Sequence, residues 1–203
     1  MLEVIGHAVW YGSNGIALDA FPELLRLHLE RTRGTGDLEA QARRVAATGF
    51  PSANLEVFIW GVCTWGGYPG IAGRVLARNA REDIATAFRQ AYRELAADRS
   101  GHESAAAALS EINRIKGLGA PSFASKHLRF LEPSRCPVLD RLITTACGYP
   151  LTVSGYARYA ADCATIAAAL EAEGIRNPFP GSPDVWRVAD VDAALFASIR
   201  AWG

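Results

Sequence analysis

Lysine is almost missing from this chain. Lys116 and Lys126, ten positions apart, stand against 19 arginines in 203 residues. Unless that closeness is chance, the two mark places where a compact amine serves and a planar guanidinium does not. Paired cysteines are missing too. Cys63, Cys136, Cys147 and Cys163 form no Cys-x-x-Cys and match neither zinc nor iron–sulfur spacing. They read as free, mostly buried thiols of a reducing cytoplasm. His7, His28, His102 and His127 show no paired-ligand spacing, so neither a metal nor a cofactor is expected. No apolar run reaches the length of a membrane span, and Met1-Leu2-Glu3-Val4 lacks the basic region of a secretory signal. These absences point to a soluble, cytoplasmic protein. Net charge is lacking as well: 21 basic and 21 acidic residues cancel, so affinity for a polyanion must come from a local patch.

What is present is ordinary folded composition, half hydrophobic and 21% charged, which excludes a disordered chain. The length suits one domain or two lobes. Helical periodicity dominates and strand-like alternation is nearly absent. The pattern predicts helices near 16–32, 37–48, 52–65, 70–78, 81–97, 103–116, 121–131, 138–147, 153–173 and 183–200. Breaks fall at Gly34/Gly36, Gly49-Phe50-Pro51, Gly66-Gly67, Gly117/Gly119, Pro133 to Pro137, Gly148 to Pro150 and Asn177 to Pro183. The first ten residues suit at most a short extended piece. The expectation is an all-α fold in a single helical domain over 1–203, with Gly66 to Gly70 able to divide two lobes.

The informative stretch runs from Ile112 to Lys126. Ala105, Leu109, Ile112 and Ile115 recur at helical spacing and define a buried face. Gly117 suits a left-handed helix end. Leu118 would turn inward as a plug, and Gly119 would let backbone and phosphate approach closely. Pro121 suits the first turn of the next helix, whose outward N–H groups and dipole favour an anion. In that helix Ala124, Leu128 and Leu131 form a core face, whereas Ser122, Ser125, Lys126 and Arg129 make a polar stripe. From Arg114 to Arg141 there are six basic residues against Glu132 and Asp140. The candidate phosphate-binding residues are therefore Lys116, Gly117, Leu118, Gly119, Ser122 and Arg129. A plain helical hairpin with a solvated polar face is the alternative.

After this helix, Pro133 and Pro137 bracket a short extended link, and a further helix opens around Asp140. Taken alone, Asp140 is a helix-opening acid that accepts free N–H groups. The order hairpin, helix, Pro-x-x-Asp, helix resembles the helix-hairpin-helix DNA glycosylase superfamily. Phe123-Ala124-Ser125-Lys126, Leu128-Arg129-Phe130-Leu131 and Pro137-Val138-Leu139-Asp140 look most like its bacterial 8-oxoguanine DNA glycosylase-like proteins. Trp186-Arg187-Val188-Ala189-Asp190-Val191-Asp192 to Phe196 is similar less specifically. The resemblance is strong over Ile112 to Ile143 and implies a two-lobed helical fold, with the hairpin at about 103–131 and the next helix at 138–147. It departs in two respects. The reactive lysine of bifunctional members sits nearer Pro121 or Ser122, about 6–8 Å along the axis from the Lys126 attachment point. No clear antiparallel β domain, as in the eukaryotic enzymes, is visible.

The resemblance implies excision of a damaged or modified base, an oxidised purine such as 8-oxoguanine, from double-stranded DNA by a monomer that flips the base out. Asp140 would stabilise the oxocarbenium-like sugar. Lys126 would be either the Schiff-base nucleophile or a phosphate contact with water as nucleophile. Trp65, Tyr68 and Trp186 are candidates for a base-pocket wall or duplex wedge, although aromatics at helix ends more often pack in a core. Arg74, Arg78, Arg81, Arg89 and Arg93 are candidates for an extended DNA surface, although a solvated helix balanced by Glu82, Asp83 and Glu94 is the better-supported alternative. Two other functions remain open at this point: a non-catalytic helix-hairpin-helix DNA-binding protein, and a helical protein-interaction domain.

Overall fold

In the computed structural model, which describes residues 1–119, 121–182 and 184–202, the chain opens on three short strands. Ala120 of the hairpin, Pro183 at the expected start of the last helix, and Gly203 lie outside the described residues. Strands β1 (Leu2–Ile5), β2 (Ala8–Tyr11) and β3 (Asn14–Ala17) form an antiparallel meander, with Val4 opposite Val9 and Val9 opposite Ile16. Gly6 and Gly12 supply the positive φ that two-residue hairpin turns require. Leu2, Val9, Tyr11 and Ile16 point inward. The Leu2 N–H donates to Tyr149 Oη at 2.9 Å, which ties the sheet to the helical body. This sheet departs from the sequence expectation. The segment from residue 16 read as helix is the end of β3 followed by a 3-10 turn, Leu18–Ala20.

The elements that follow among the described residues are helices: α1 (Phe21–Arg31), α2 (Thr35–Ala47), α3 (Ser52–Trp65), α4 (Gly70–Arg78), α5 (Arg81–Ala96), α6 (Gly101–Ile112), α7 (Ser122–Leu131), α8 (Arg141–Cys147), α9 (Val153–Ala172) and α10 (Val188–Trp202). The protein is thus mostly helical, with a small sheet at one end. Helix α1 packs on α10, α5 on α6, and α6 on α9. Among the described residues no helix is long and apolar enough to cross a membrane.

Helix α7 is the central element. It touches α2, α3 and α6, and every residue from Phe123 to Leu131 is buried. The polar stripe expected to face solvent therefore does not. Arg129 is 2% exposed, and its Nη1 lies 2.9 Å from Glu39 Oε1 on α2. Glu39 Oε2 in turn lies 2.8 Å from Arg187 Nη1, whose guanidinium also grips Asp190 through both oxygens at 2.7 Å. Burial would expel these charges unless each found a partner. The network supplies one for each and clamps α2, α7 and the start of α10 together. Neutralising Glu39 should leave two buried guanidinium groups short of a partner. Glu39→Gln is expected to cost about 3–5 kcal/mol, measured by urea unfolding at pH 7.

Candidate active site

The hairpin is held from outside. Helix α6 ends at Ile112, and the link to α7 turns at Gly117 and Gly119, with φ of 85° and 74°. Both lie in the left-handed region that glycine enters at little cost. Asn79, which closes α4, clamps the turn: Lys116 N–H donates to its Oδ1 at 3.0 Å, and its Nδ2 donates to the Lys116 carbonyl at 2.9 Å. The Gly117 Cα faces the Arg74 carbonyl, leaving only van der Waals room for a Cβ. Lys116, Arg74 and Arg78 are exposed around the turn. Leu118 is buried in the core as a plug, so its side chain cannot touch a partner. Gly119 accepts from Phe123 N–H at 3.0 Å, and Pro121 lies just before α7 instead of inside it. Ser122 is half-buried at the helix opening.

Lys126 sits one turn into α7 and reaches toward α8. Its Nζ lies 3.6 Å from Asp140 Oδ2, with side chains 9% and 18% exposed. Nζ also donates to Ser122 Oγ at 3.4 Å and stands 4.9 Å from the Phe123 ring centre. The stem lies over Gly66, where a Cβ would come 3.0 Å from Lys126 Cδ and 2.9 Å from Phe123 Cε1. Glycine here makes room for the lysine. Burial lowers the basicity of the amine, opposed by the charges of Asp140 and Asp192.

Asp140 divides its work between its oxygens. Oδ1 accepts from Leu142 N–H at 3.0 Å and Ile143 N–H at 3.2 Å, capping α8. Oδ2 faces Lys126. The link before it is fixed by two bonds absent from the sequence reading: Leu139 N–H donates to Ser125 Oγ at 3.2 Å, and Val138 N–H to Asp192 Oδ2 at 3.1 Å. Tyr159 Oη–H donates to the other Asp192 oxygen at 2.6 Å. Desolvation pushes the Asp192 carboxyl up to about 7, with those two hydrogen bonds pulling against it.

The aromatic candidates separate. Tyr68 is 66% exposed and meets Phe123 edge-on at 5.9 Å, the ring that Lys126 Nζ also approaches. Trp65 is half-buried; its Nε1–H donates to Thr35 Oγ1 at 3.1 Å and its ring meets Phe130 at 5.0 Å. Trp186 is not a wall or wedge. It is 3% exposed, packed against Phe21, with its Nε1–H donating to the Ile175 carbonyl. Arg129 likewise cannot contact a phosphate, because it is buried with Glu39. The expected basic patch from Arg114 to Arg141 shrinks accordingly, with Arg114, Lys116 and Arg141 exposed and Arg114 paired to Glu111.

A groove of about 560 Å³ opens nearby, lined by Thr35, Glu39, Arg43, Phe179 and Arg187 among others. Its lining does not include Lys126 or Asp140. The Glu39 and Arg187 charges there are spent on each other, and Arg187 also covers the Phe179 ring at 3.9 Å. We take the Lys126–Asp140 pair as the reactive feature. Among the described residues no group of three His, Cys, Asp or Glu side chains is arranged to hold a metal ion, and all four cysteines are free and buried.

The buried Asp192 has a consequence for stability. Its carboxyl is raised to about 7 from 3.8, so between those values the folded chain holds a proton that the unfolded chain has lost. This contribution falls as pH rises from about 4 to 7, by up to about 1.4 kcal/mol per unit, and is flat above. Asp192→Asn removes that slope. Its stability relative to the wild type should therefore improve steadily from pH 5 to pH 7, as read by urea unfolding at each pH. A constant difference would refute the buried titration.

Comparison of the chain with protein-family profiles, curated proteins and solved structures returned no match.

Proposed function

We propose that this protein is a DNA glycosylase with Schiff-base lyase activity, built on a two-lobed helix-hairpin-helix glycosylase-like fold and acting on double-stranded DNA as a monomer in the cytoplasm. The observation that carries the reading is the 3.6 Å approach of Lys126 Nζ to Asp140 Oδ2 in a nearly closed site. A phosphate contact would need an exposed amine. Lys126 is instead buried, with its basicity lowered toward the neutral form that a nucleophile needs.

The chemistry follows from the two groups. The neutral Lys126 nitrogen attacks C1′ of a flipped-out nucleotide as the C1′–N bond breaks, and the base departs with that electron pair and is protonated. Asp140 stabilises the cationic sugar, accepts the proton shed by the lysine nitrogen and returns it to O4′ as the sugar ring opens, while solvent protonates the departing base. Opening of the sugar ring leaves a protonated imine between Lys126 and C1′. Loss of a C2′ proton then expels the 3′ phosphate and cuts the strand. The hairpin, with Lys116 exposed and Gly117 and Gly119 bared of side chains, supports the reading as a backbone grip that positions the duplex without reading its sequence. Tyr68 supports it as an exposed ring packed on Phe123, the ring that Lys126 also approaches, and available to stack on a displaced base. The substrate class proposed is an oxidised purine such as 8-oxoguanine, on the resemblance of the Ile112 to Ile143 segment.

Wild-type protein should release 8-oxoguanine from a duplex oligonucleotide and form a borohydride-trapped covalent complex. Lys126→Gln should abolish trapping. Asp140→Asn keeps a capping oxygen but loses the charge, so base release should fall roughly 100- to 1,000-fold with duplex affinity retained. Binding of duplex with no base release across a panel of lesions would favour a non-catalytic DNA-binding role. Full release by Asp140→Asn would sink the mechanism.

A further inference from the structure

The Lys126–Asp140 distance depends on where the backbone before Asp140 lies, and two side chains hold that backbone: Ser125 at Leu139 and, from α10, Asp192 at Val138. Asp192 on α10 is buried. One of its oxygens accepts from Val138 N–H, two residues before Asp140, and the other accepts from Tyr159 on α9. A buried carboxylate is costly unless its hydrogen bonds are worth having. An apolar residue would leave both donors without an acceptor and an amide offers a single acceptor oxygen, so an acid is the side chain that meets both.

Several titratable groups face Asp192. From α9 come Tyr156, Tyr159 and Cys163, and from α8 comes Cys147. Burial pushes all four upward, so they stay neutral across the physiological range. Charge reaches Asp192 from Asp140 in the link and from Arg129 and Lys126 on α7.

We propose that Asp192 is a positioning residue for the reactive pair: tied to Tyr159, its ionised carboxylate holds Val138 and thereby places Asp140 against Lys126. The inference rests on the reading of that pair as the reactive centre. A protonated Asp192 offers the Val138 N–H a weaker, uncharged acceptor, which loosens the link and the pair with it. The site is thus set by an acid that never touches substrate.

The chain holds two lysines, so protein labelled with ¹³C at lysine Cε gives two resonances, and Lys116→Arg assigns them. We expect the Lys126 resonance and the Leu142 amide, which reports the Asp140 cap, to shift together with a midpoint near pH 7, where the Asp192 carboxyl titrates. In Asp192→Asn that shared step disappears. In Tyr159→Phe, which removes a donor to the ionised carboxylate, it moves to higher pH. In parallel, imine formation is measured on a duplex containing an abasic site. The Lys126 nitrogen adds to the C1′ aldehyde, water leaves, and cyanoborohydride delivers hydride to the C=N bond, giving a stable secondary amine. Asp192→Asn should slow this trapping by roughly tenfold to a hundredfold at pH 7.5 without weakening duplex binding. Wild-type shifts and trapping rates retained in Asp192→Asn, or in Tyr159→Phe where the first variant does not fold, overturn the proposal. A wild-type protein that traps no abasic duplex at any pH defeats the lyase reading instead, and the Leu142 and Lys126 titrations still judge Asp192.

Discussion

A helix that carries Lys126, His127 and Arg129 and is buried from Phe123 to Leu131 must accommodate each of these groups within the protein. That requirement governs much of the architecture around α7. Arg129 draws in Glu39 from α2 and, through it, Arg187 and Asp190. His127 is pushed down to about 4 by burial and is therefore neutral. Its Nδ1–H donates to the Phe123 carbonyl at 2.7 Å and its ring meets Phe58 and Phe88, while Nε2 is buried with no hydrogen-bond partner among the described residues. Lys126 takes the third solution, a single carboxylate at the edge of the covered region. Three charged or chargeable neighbours on one helix are thus accommodated in three different ways.

The contrast between Arg129 and Lys126 separates structure from chemistry. Arg129 has close, directional contacts to a carboxylate that is itself shared, and its guanidinium also stacks over Phe130 at 4.6 Å. Such a group is fully committed, and breaking it costs stability. Lys126 is loosely held: its contacts to Asp140 and Ser122 are 3.6 Å and 3.4 Å, long for charge-assisted bonds. An amine that is dehydrated yet weakly compensated stores reactivity rather than stability. That asymmetry is why the proposed nucleophile and a rigid clamp can sit one turn apart on the same helix.

The helices were legible because their apolar periods are long and glycine or proline interrupts them. The predicted spans 52–65 and 70–78 coincide with α3 and α4. The sheet was not, since strands of four residues are too short for a period of two to stand out against a helical background. The polar stripe of α7 misled for a different reason. Periodicity marks which residues share a face but not what covers it, and the cover for Arg129 comes from 90 positions away. The Lys126–Asp140 pairing was legible as two conspicuous residues in a recognisable order, but their separation was not, because it depends on side-chain reach across two elements. Asp192 left one faint signal. Along Val188 to Phe196 the residues other than Asp190 and Asp192 are apolar, and acids embedded in such a run are either paired or perturbed.

Asp140 shows why a structural and a chemical explanation of one residue need not compete. The cap uses Oδ1 and the lysine faces Oδ2, so satisfying the helix leaves the second oxygen oriented and unspent. Capping therefore supports the proposed chemistry by removing the torsional freedom of the carboxylate. The helix-opening position is where a half-buried carboxylate can be held rigid with one oxygen facing the lysine. Asp192 acts one step further back, on the backbone that delivers Asp140 to that position.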